Sequence, residues 1–246
     1  MAETPAPEHR AINELIGEDG PYPIPHLPFP RPVPPPPIPP FQPASYTFRL
    51  VSMQVLNTRS AHLDSDKASL TVAVGPNGTP TTVIKDLGNV NNGSYPIGLS
   101  IGPIPISDPN VGVAMNYVIL NSGHQSWQDV NKILTGAGSA LASAGAKAAT
   151  SAVGAAVGAE IGSDLMPVVG TVLGLLAGWL VGELTGLLTA DCDGPVAAEQ
   201  PAFKGSQLWA NTARGAYTHT TYHPGIDSAS GCGSNSIYTA TWSISR

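Results

Sequence analysis

Charge is what this 246-residue chain lacks. Asp, Glu, Lys and Arg make up 11% of its residues, against roughly 25% in an ordinary soluble domain. With 11 basic and 17 acidic side chains the net charge is −6, which excludes the basic footprint of a nucleic-acid-binding protein. At 42% hydrophobic residues the chain is equally unlike a polyelectrolyte disordered segment. Cysteine is scarce too. Cys192 and Cys232 are too few for a disulfide scaffold or a zinc ribbon. Each lies in a turn-like run, Asp191-Cys192-Asp193-Gly194 and Gly231-Cys232-Gly233-Ser234. The pair fits either one disulfide formed outside the cytosol or two idle thiols. Residues 1–10 are polar and acidic, with no apolar stretch behind a basic start. They do not read as a signal peptide, so the expectation is a secreted or delivered protein that travels by another route.

Proline and glycine are abundant instead, at 25 and 27 residues. Near the start Ile12, Leu15 and Ile16 stand at helical spacing, in a segment too short to be a stable helix unless it docks. Residues 21–43 then hold 13 of the prolines, including Pro34-Pro35-Pro36-Pro37. They predict a polyproline II arm reaching roughly 70 Å at about 3.1 Å per residue. Such an arm serves as a spacer or strap, or as a tag for an export or docking partner.

From residue 44 the pattern has period two. Residues 46–56 read as a strand with Val51, Met53 and Val55 on one face. Leu70, Val72 and Val74 alternate in a second strand that ends at the turn signal Gly75-Pro76-Asn77-Gly78. Residues 81–84, 97–106 and 111–120 follow, the middle one mixing apolar residues with Gly, Pro and Ser as an edge strand does. The same grammar returns in 202–210, 216–222 and 236–245. The expected fold is α+β: a β-sandwich of about seven or eight mainly antiparallel strands. It is built from residues 44–127 and 195–246, carries an N-terminal proline-rich arm over 1–43, and is interrupted by a glycine-zipper helical hairpin at 128–194.

That hairpin is the strongest signal in the chain. Small residues recur every fourth position at Gly138, Ala142, Ala146, Thr150, Gly154, Gly158 and Gly162, and again at Gly170, Gly174, Gly178, Gly182 and Gly186. Glycine inside a helix costs about 1 kcal/mol relative to alanine. A run of them therefore implies close backbone approach, and the two glycine faces are expected to meet each other or a neighbouring subunit. Ser163, Asp164 and Pro167 provide the stop and restart between helices over 130–162 and 164–189. The second is 24 nearly uncharged residues over 165–188, with Glu183 its one charge, long enough to span a bilayer. Leu173, Leu176, Trp179 and Leu180 would meet lipid or a packed neighbour. The first is mostly Ala, Gly and Ser, with a polar row at Ser139, Ser143, Lys147 and Ser151. An all-round apolar helix fits a membrane or a permanent core equally.

Catalytic motifs are missing: no Gly-x-Ser-x-Gly, no phosphate-binding loop, no His-Glu-x-x-His and no Cys-x-x-Cys. His219 and His223 are four apart, but in a strand that separation is about 13 Å and prevents a shared metal without a bend. Asp64 and Asp66, with Asn57 nearby, offer hard oxygen ligands for calcium, although the distal Glu of a full calcium loop is absent and turn capping is the plainer role. Tyr95, Trp127, Trp209, Tyr217, Tyr222, Tyr238 and Trp242 would form a sugar-binding or membrane-interface surface if exposed, and core pairs if not.

These features point to a non-enzymatic, toxin-like effector whose hairpin inserts into and permeabilises a target membrane as a homo-oligomer. Glu160, Asp164 and Glu183 would then act as pH sensors, since protonation lowers the cost of burying them in lipid. The other reading is a non-catalytic structural or adaptor protein, its hairpin permanent core or an oligomerisation element and its proline arm docking a partner.

Overall fold

A computed structural model describes residues 40–60, 63–123, 125–151, 193–225 and 236–246. The proline arm before residue 40 lies outside the described residues. So do the hairpin beyond Ser151, with Gly154 through Gly186, Leu173, Leu176, Trp179, Leu180, Glu160, Asp164 and Glu183, and both Cys192 and Cys232.

The described chain runs β1 (Ala44–Asn57), β2 (Asp64–Val74), β3 (Thr81–Val90), β4 (Gly93–Ile106), β5 (Gly112–Asn121), α1 (Trp127–Ser151), β6 (Gly194–Glu199), β7 (Ala202–Lys204), α2 (Gly205–Asn211), β8 (Tyr217–Pro224) and β9 (Ile237–Ser245). The strands form two sheets. The first has the order β4-β1-β9-β8; the second has the order β3-β2-β5-β6, with β7 also pairing with β5. Every pairing is antiparallel. The main core lies between the sheets, around Tyr46, Phe48, Leu50, Leu70, Met115, Tyr117, Phe203 and Trp242. β4 stands at the edge of the first sheet, as its glycines and prolines require.

A third layer covers the outer face of the second sheet. There α1 packs across β5, β2, β3 and β7. All ten residues of β5 are therefore buried. Val113, Met115, Tyr117 and Ile119 face the sandwich core, while Ala114, Val118 and Leu120 lie under the helix. Ser126 starts α1 as a cap, accepting the Asp129 amide at 3.2 Å while its hydroxyl donates to the Asp129 carboxylate at 2.6 Å.

Val130 and Leu134 in the first half of the helix pack on Val118 and Leu120, but from Gly138 onward the contact between helix and sheet is made mainly of small residues. Ala142, Ala146 and Ala149 meet Ala73, Ala114 and Ala202. A Cβ on Gly138 would stand 2.1 Å from the Thr71 hydroxyl, and one on Gly145 would stand 2.9 Å from the Ala114 methyl. From the sheet side, a Cβ on Gly112 would come within 2.1 Å of the Ala146 carbonyl oxygen. Thr150 Oγ1 accepts the Gly112 amide at 2.9 Å and donates to the Ala146 carbonyl at 2.8 Å. The periodicity predicts another helix as partner of this stripe. Over residues 138–150 the partner is instead the second sheet, while Lys147 and Ser151 of the polar row are exposed.

Two other expectations change, and one strand was not expected. Val51 is 39% exposed rather than aligned with buried Met53 and Val55, because a register shift between Leu50 and Ser52 inserts one residue and restarts the alternation. Residues 202–210 are not one strand. Only Ala202–Lys204 pairs; the chain then turns into α2, whose first turn is capped by the Gln207 side chain accepting the Lys204 amide at 2.7 Å. β6 lies in Pro-Val-Ala-Ala sequence with too little β-branching to read as a strand.

Close packing makes a clear prediction. Gly112→Ala and Gly145→Ala should each lower the unfolding free energy by about 2 kcal/mol through overpacking. Gly136→Ala, on the open face of the same helix with nothing within 4 Å of the new Cβ, should raise it by about 1 kcal/mol. Urea unfolding of the three variants measures both signs.

Candidate functional site

The residues that flank the apolar segment, Thr150 before it and Asp193 and Gly194 after it, are tied to the second sheet. At one end Thr150 is bonded to Gly112, the first residue of β5. At the other, the Gly123 amide donates to Asp193 Oδ1 at 2.9 Å, and Gly194 pairs with Asn121, the last residue of β5. The two attachments thus sit at opposite ends of a ten-residue strand, about 30 Å apart at 3.3 Å per residue.

The second attachment is built over a buried polar centre. Asp64 Oδ2 accepts the Arg59 amide at 2.7 Å and the Tyr238 hydroxyl at 2.6 Å, while its Oδ1 accepts the Ser60 amide at 2.7 Å. The Arg59 guanidinium lies against Gly194, where a Cβ would meet it at 2.9 Å. Lys67 Nζ donates to the Ser122 carbonyl at 2.7 Å. Asn121 accepts the Ser65 amide at 2.9 Å and donates to Ser60 Oγ at 3.1 Å. One network therefore joins the loop after β1, the turn after β5 and the start of β6.

Asp66 sits inside this network, fully buried, and neither of its oxygens has a donor in hydrogen-bonding geometry. The single Tyr238 proton goes to Asp64. Burial and then the neighbouring Asp64 charge push the Asp66 carboxyl up to about 7, against a weaker pull from Tyr238 and Lys67. Burial and the same two carboxylates hold the Tyr238 phenol far above its ordinary range. Of the calcium candidates, Asp64 caps a loop with its oxygens occupied and Asp66 is enclosed beneath it. Among the described residues no group of three or more His, Cys, Asp or Glu is arranged to hold a metal.

A second polar centre adjoins the first through the register pair His223 and Tyr238. Glu199, on β6, is buried, and its Oε2 accepts Thr221 Oγ1 at 2.7 Å, Tyr117 Oη at 2.9 Å and Trp242 Nε1 at 2.9 Å. The carboxylate thereby fastens the edge of the second sheet to β8 and β9 of the first. Tyr117 gives its proton to Glu199, so its oxygen accepts from His223 Nε2 at 2.8 Å. Burial lowers the His223 pKa, although the Glu199 charge opposes this. His219 faces the Trp242 ring with centroids 5.3 Å apart, while His223 meets Tyr117 at 5.9 Å. Each histidine has its own aromatic partner, at the separation that a strand imposes.

Most of the aromatic candidates point inward. Tyr238 and Trp242 are fully buried, Trp209 is nearly so, and Tyr95 and Tyr217 are half-buried. Trp127 at 39% and Tyr222 at 56% are the exposed ones of the set. Trp209 receives the Phe41 ring edge-on at 6.2 Å, and the Arg246 guanidinium lies 4.1 Å from its centroid. Arg246 also donates to the Thr212 carbonyl at 2.8 Å. The sequence reading overlooked Glu199, Tyr117, Lys67 and Gln200. The one available signal was Glu199 itself, a single charge in the apolar run Val196-Ala197-Ala198-Glu199.

No protein-family model, no curated protein and no solved structure matches this chain.

The Asp66 environment fixes a pH dependence. Its folded pKa is raised above 3.8 to about 7, so its stabilising contribution is complete below about pH 4 and is lost as pH rises through 7. At roughly 1.4 kcal/mol per unit, ionised Asp66 costs about 4 kcal/mol. Asp66→Asn should therefore flatten the fall in urea midpoint between pH 5 and pH 8 and make the protein more stable at pH 8.

Proposed function

We propose that the protein is a membrane-acting, toxin-like effector that works without catalysis. In this reading a rigid three-layer body holds the apolar segment 152–192 by its two ends and delivers it to lipid. One observation carries the proposal: the attachments lie at the two ends of β5, a strand buried on both of its faces. Residues 165–188 form the stretch of 24 with Glu183 as its one charge. As a helix it would be about 36 Å long, enough to cover the roughly 30 Å between attachments and equally enough to cross a hydrocarbon core. The same length therefore serves storage on the body and insertion in a bilayer.

The proposal is narrower than insertion of a whole hairpin. Among the described residues no helix is long and apolar enough to cross a membrane, and α1 is anchored to the sheet through residue 150. The inserting element is then 152–192. Glycines 154 to 186 become the surface on which copies associate into an oligomer, and Glu160, Asp164 and Glu183 the groups whose protonation eases entry into lipid. A second reading is favoured by the Gly138, Ala142 and Ala146 packing, which uses the small-residue face inside the fold. On that view the remaining segment is permanent core, and the protein is a structural or adaptor module docked through its proline arm.

Dye release from phosphatidylcholine–phosphatidylglycerol vesicles separates the two. The full chain should cause leakage at pH 5 that exceeds leakage at pH 7.4 by about tenfold, the effect of roughly 1.4 kcal/mol. Leu176→Asp with Leu180→Asp should abolish it. No leakage at either pH overturns the membrane reading and leaves the structural one.

A further inference from the structure

The outer face of the first sheet lies on the opposite side of the body from α1, and it is built almost without charge. Its rows follow from the strand register. Ser94, Gln54, Thr239 and Tyr222 stand side by side across β4, β1, β9 and β8. The next row is Pro96, Ser52, Thr241 and Thr220. A shallow open groove of about 350 Å³ is lined by these two rows up to Thr239 and Thr220, together with Met53 and Tyr95, and none of its lining residues is charged; Tyr222 stands next to Thr239 beyond that lining. The nearest charge on this face, Arg49, is one row further on and donates to Ser245 at 2.9 Å. Exposed sheet faces and edges ordinarily carry charged side chains that keep them soluble and apart. This face exposes hydroxyls instead.

We infer that this groove is a binding site for a neutral saccharide. The inference is independent of the lipid-directed reading above. Hydroxyl and amide groups both donate and accept, as the paired Thr220 and Thr241 hydroxyls do at 2.8 Å. They suit a polyol, whose own hydroxyls do the same. Neighbouring strands are about 4.8 Å apart and same-face rows about 6.7 Å, so one pyranose ring covers hydroxyls from two strands. Tyr222, 56% exposed at the end of the first row, supplies the apolar platform for the C–H face of the ring. The lack of charge in the groove disfavours acidic sugars and phosphates, which need a cationic partner.

The test uses the ¹⁵N-labelled full chain titrated with three probes: the hexamers of β-1,4-linked glucose, α-1,4-linked glucose and α-1,6-linked mannose. At least one should shift the amide resonances of residues 52–54, 220–222 and 239–241 in a saturable manner. Thr239→Val and Tyr222→Ala should each weaken that binding at least tenfold while leaving the urea midpoint unchanged. Four outcomes of the sugar titrations, with a heparin hexasaccharide as a fourth, charged probe, overturn the inference. They are no binding by any of the three hexamers, shifts confined to other strands, binding untouched by both variants, or tighter binding of a heparin hexasaccharide. Concentration-dependent shifts of the same resonances without sugar also overturn it, in favour of face-to-face pairing of two copies.

Discussion

The close approach of α1 to the second sheet is the contact on which the rest of the structure depends. A helix resting on Leu and Ile side chains stands some distance off a sheet. Here glycine and alanine on both surfaces bring the helix backbone down onto β5, with Thr150 and Gln200 bonding across the seam. Over Gly138 to Thr150 the gain is dispersion contact between densely packed backbones, added to the burial of Val130 and Leu134 against Val118 and Leu120. It has a structural consequence for the strands beneath. Covered on both faces, β2 and β5 have no solvent side, so Ser69, Thr71 and Asn116 are buried beside Val and Ala, and every volume at that seam is constrained.

Between the sheets the arrangement is different. Two carboxylate centres, around Asp64 and Glu199, stand where β5, β6, β8 and β9 converge. Buried charges are tolerated only when donors surround them, and Asp64 and Glu199 meet that condition while Asp66 does not. The pair Asp66 and His223 consequently pulls in opposite directions. Burial favours the protonated carboxyl of one and the neutral imidazole of the other, so a mildly acidic medium eases the first strain before it begins to oppose the second. Asp66 lies one strand from the pairing of Asn121 with Gly194, while His223 reaches the middle of β5 through Tyr117.

How much of this could be read in the sequence follows from the range of the interactions. β2, β5 and β9 were legible because period-two alternation is a local property. The edge position of β4 was legible because glycine and proline mark it. The bulge at Val51 was not, since it exists only in relation to two partner strands. Nor was α2, whose residues happen to alternate. Over Gly138 to Thr150 the small-residue stripe announced close approach, yet it carries no information about what approaches, and a sheet face lined with alanine serves as well as a second helix. The polar centres were the least legible. Tyr238 meets Asp64 across 174 positions and Tyr117 meets Glu199 across 82, and no window of sequence spans either pair.

The Trp209 cluster joins the two ends of the described body. Phe41, three residues before β1, and Arg246, directly after β9, press on the same indole, and their strands are antiparallel neighbours with Thr47 opposite Ser245. Tension on the proline arm would thus arrive at the aromatic clasp first and then at the β1–β9 ladder. That ladder is the centre of the first sheet, with β4 and β8 flanking it. Force applied at Phe41 therefore loads an interior seam of the first sheet rather than a peripheral one.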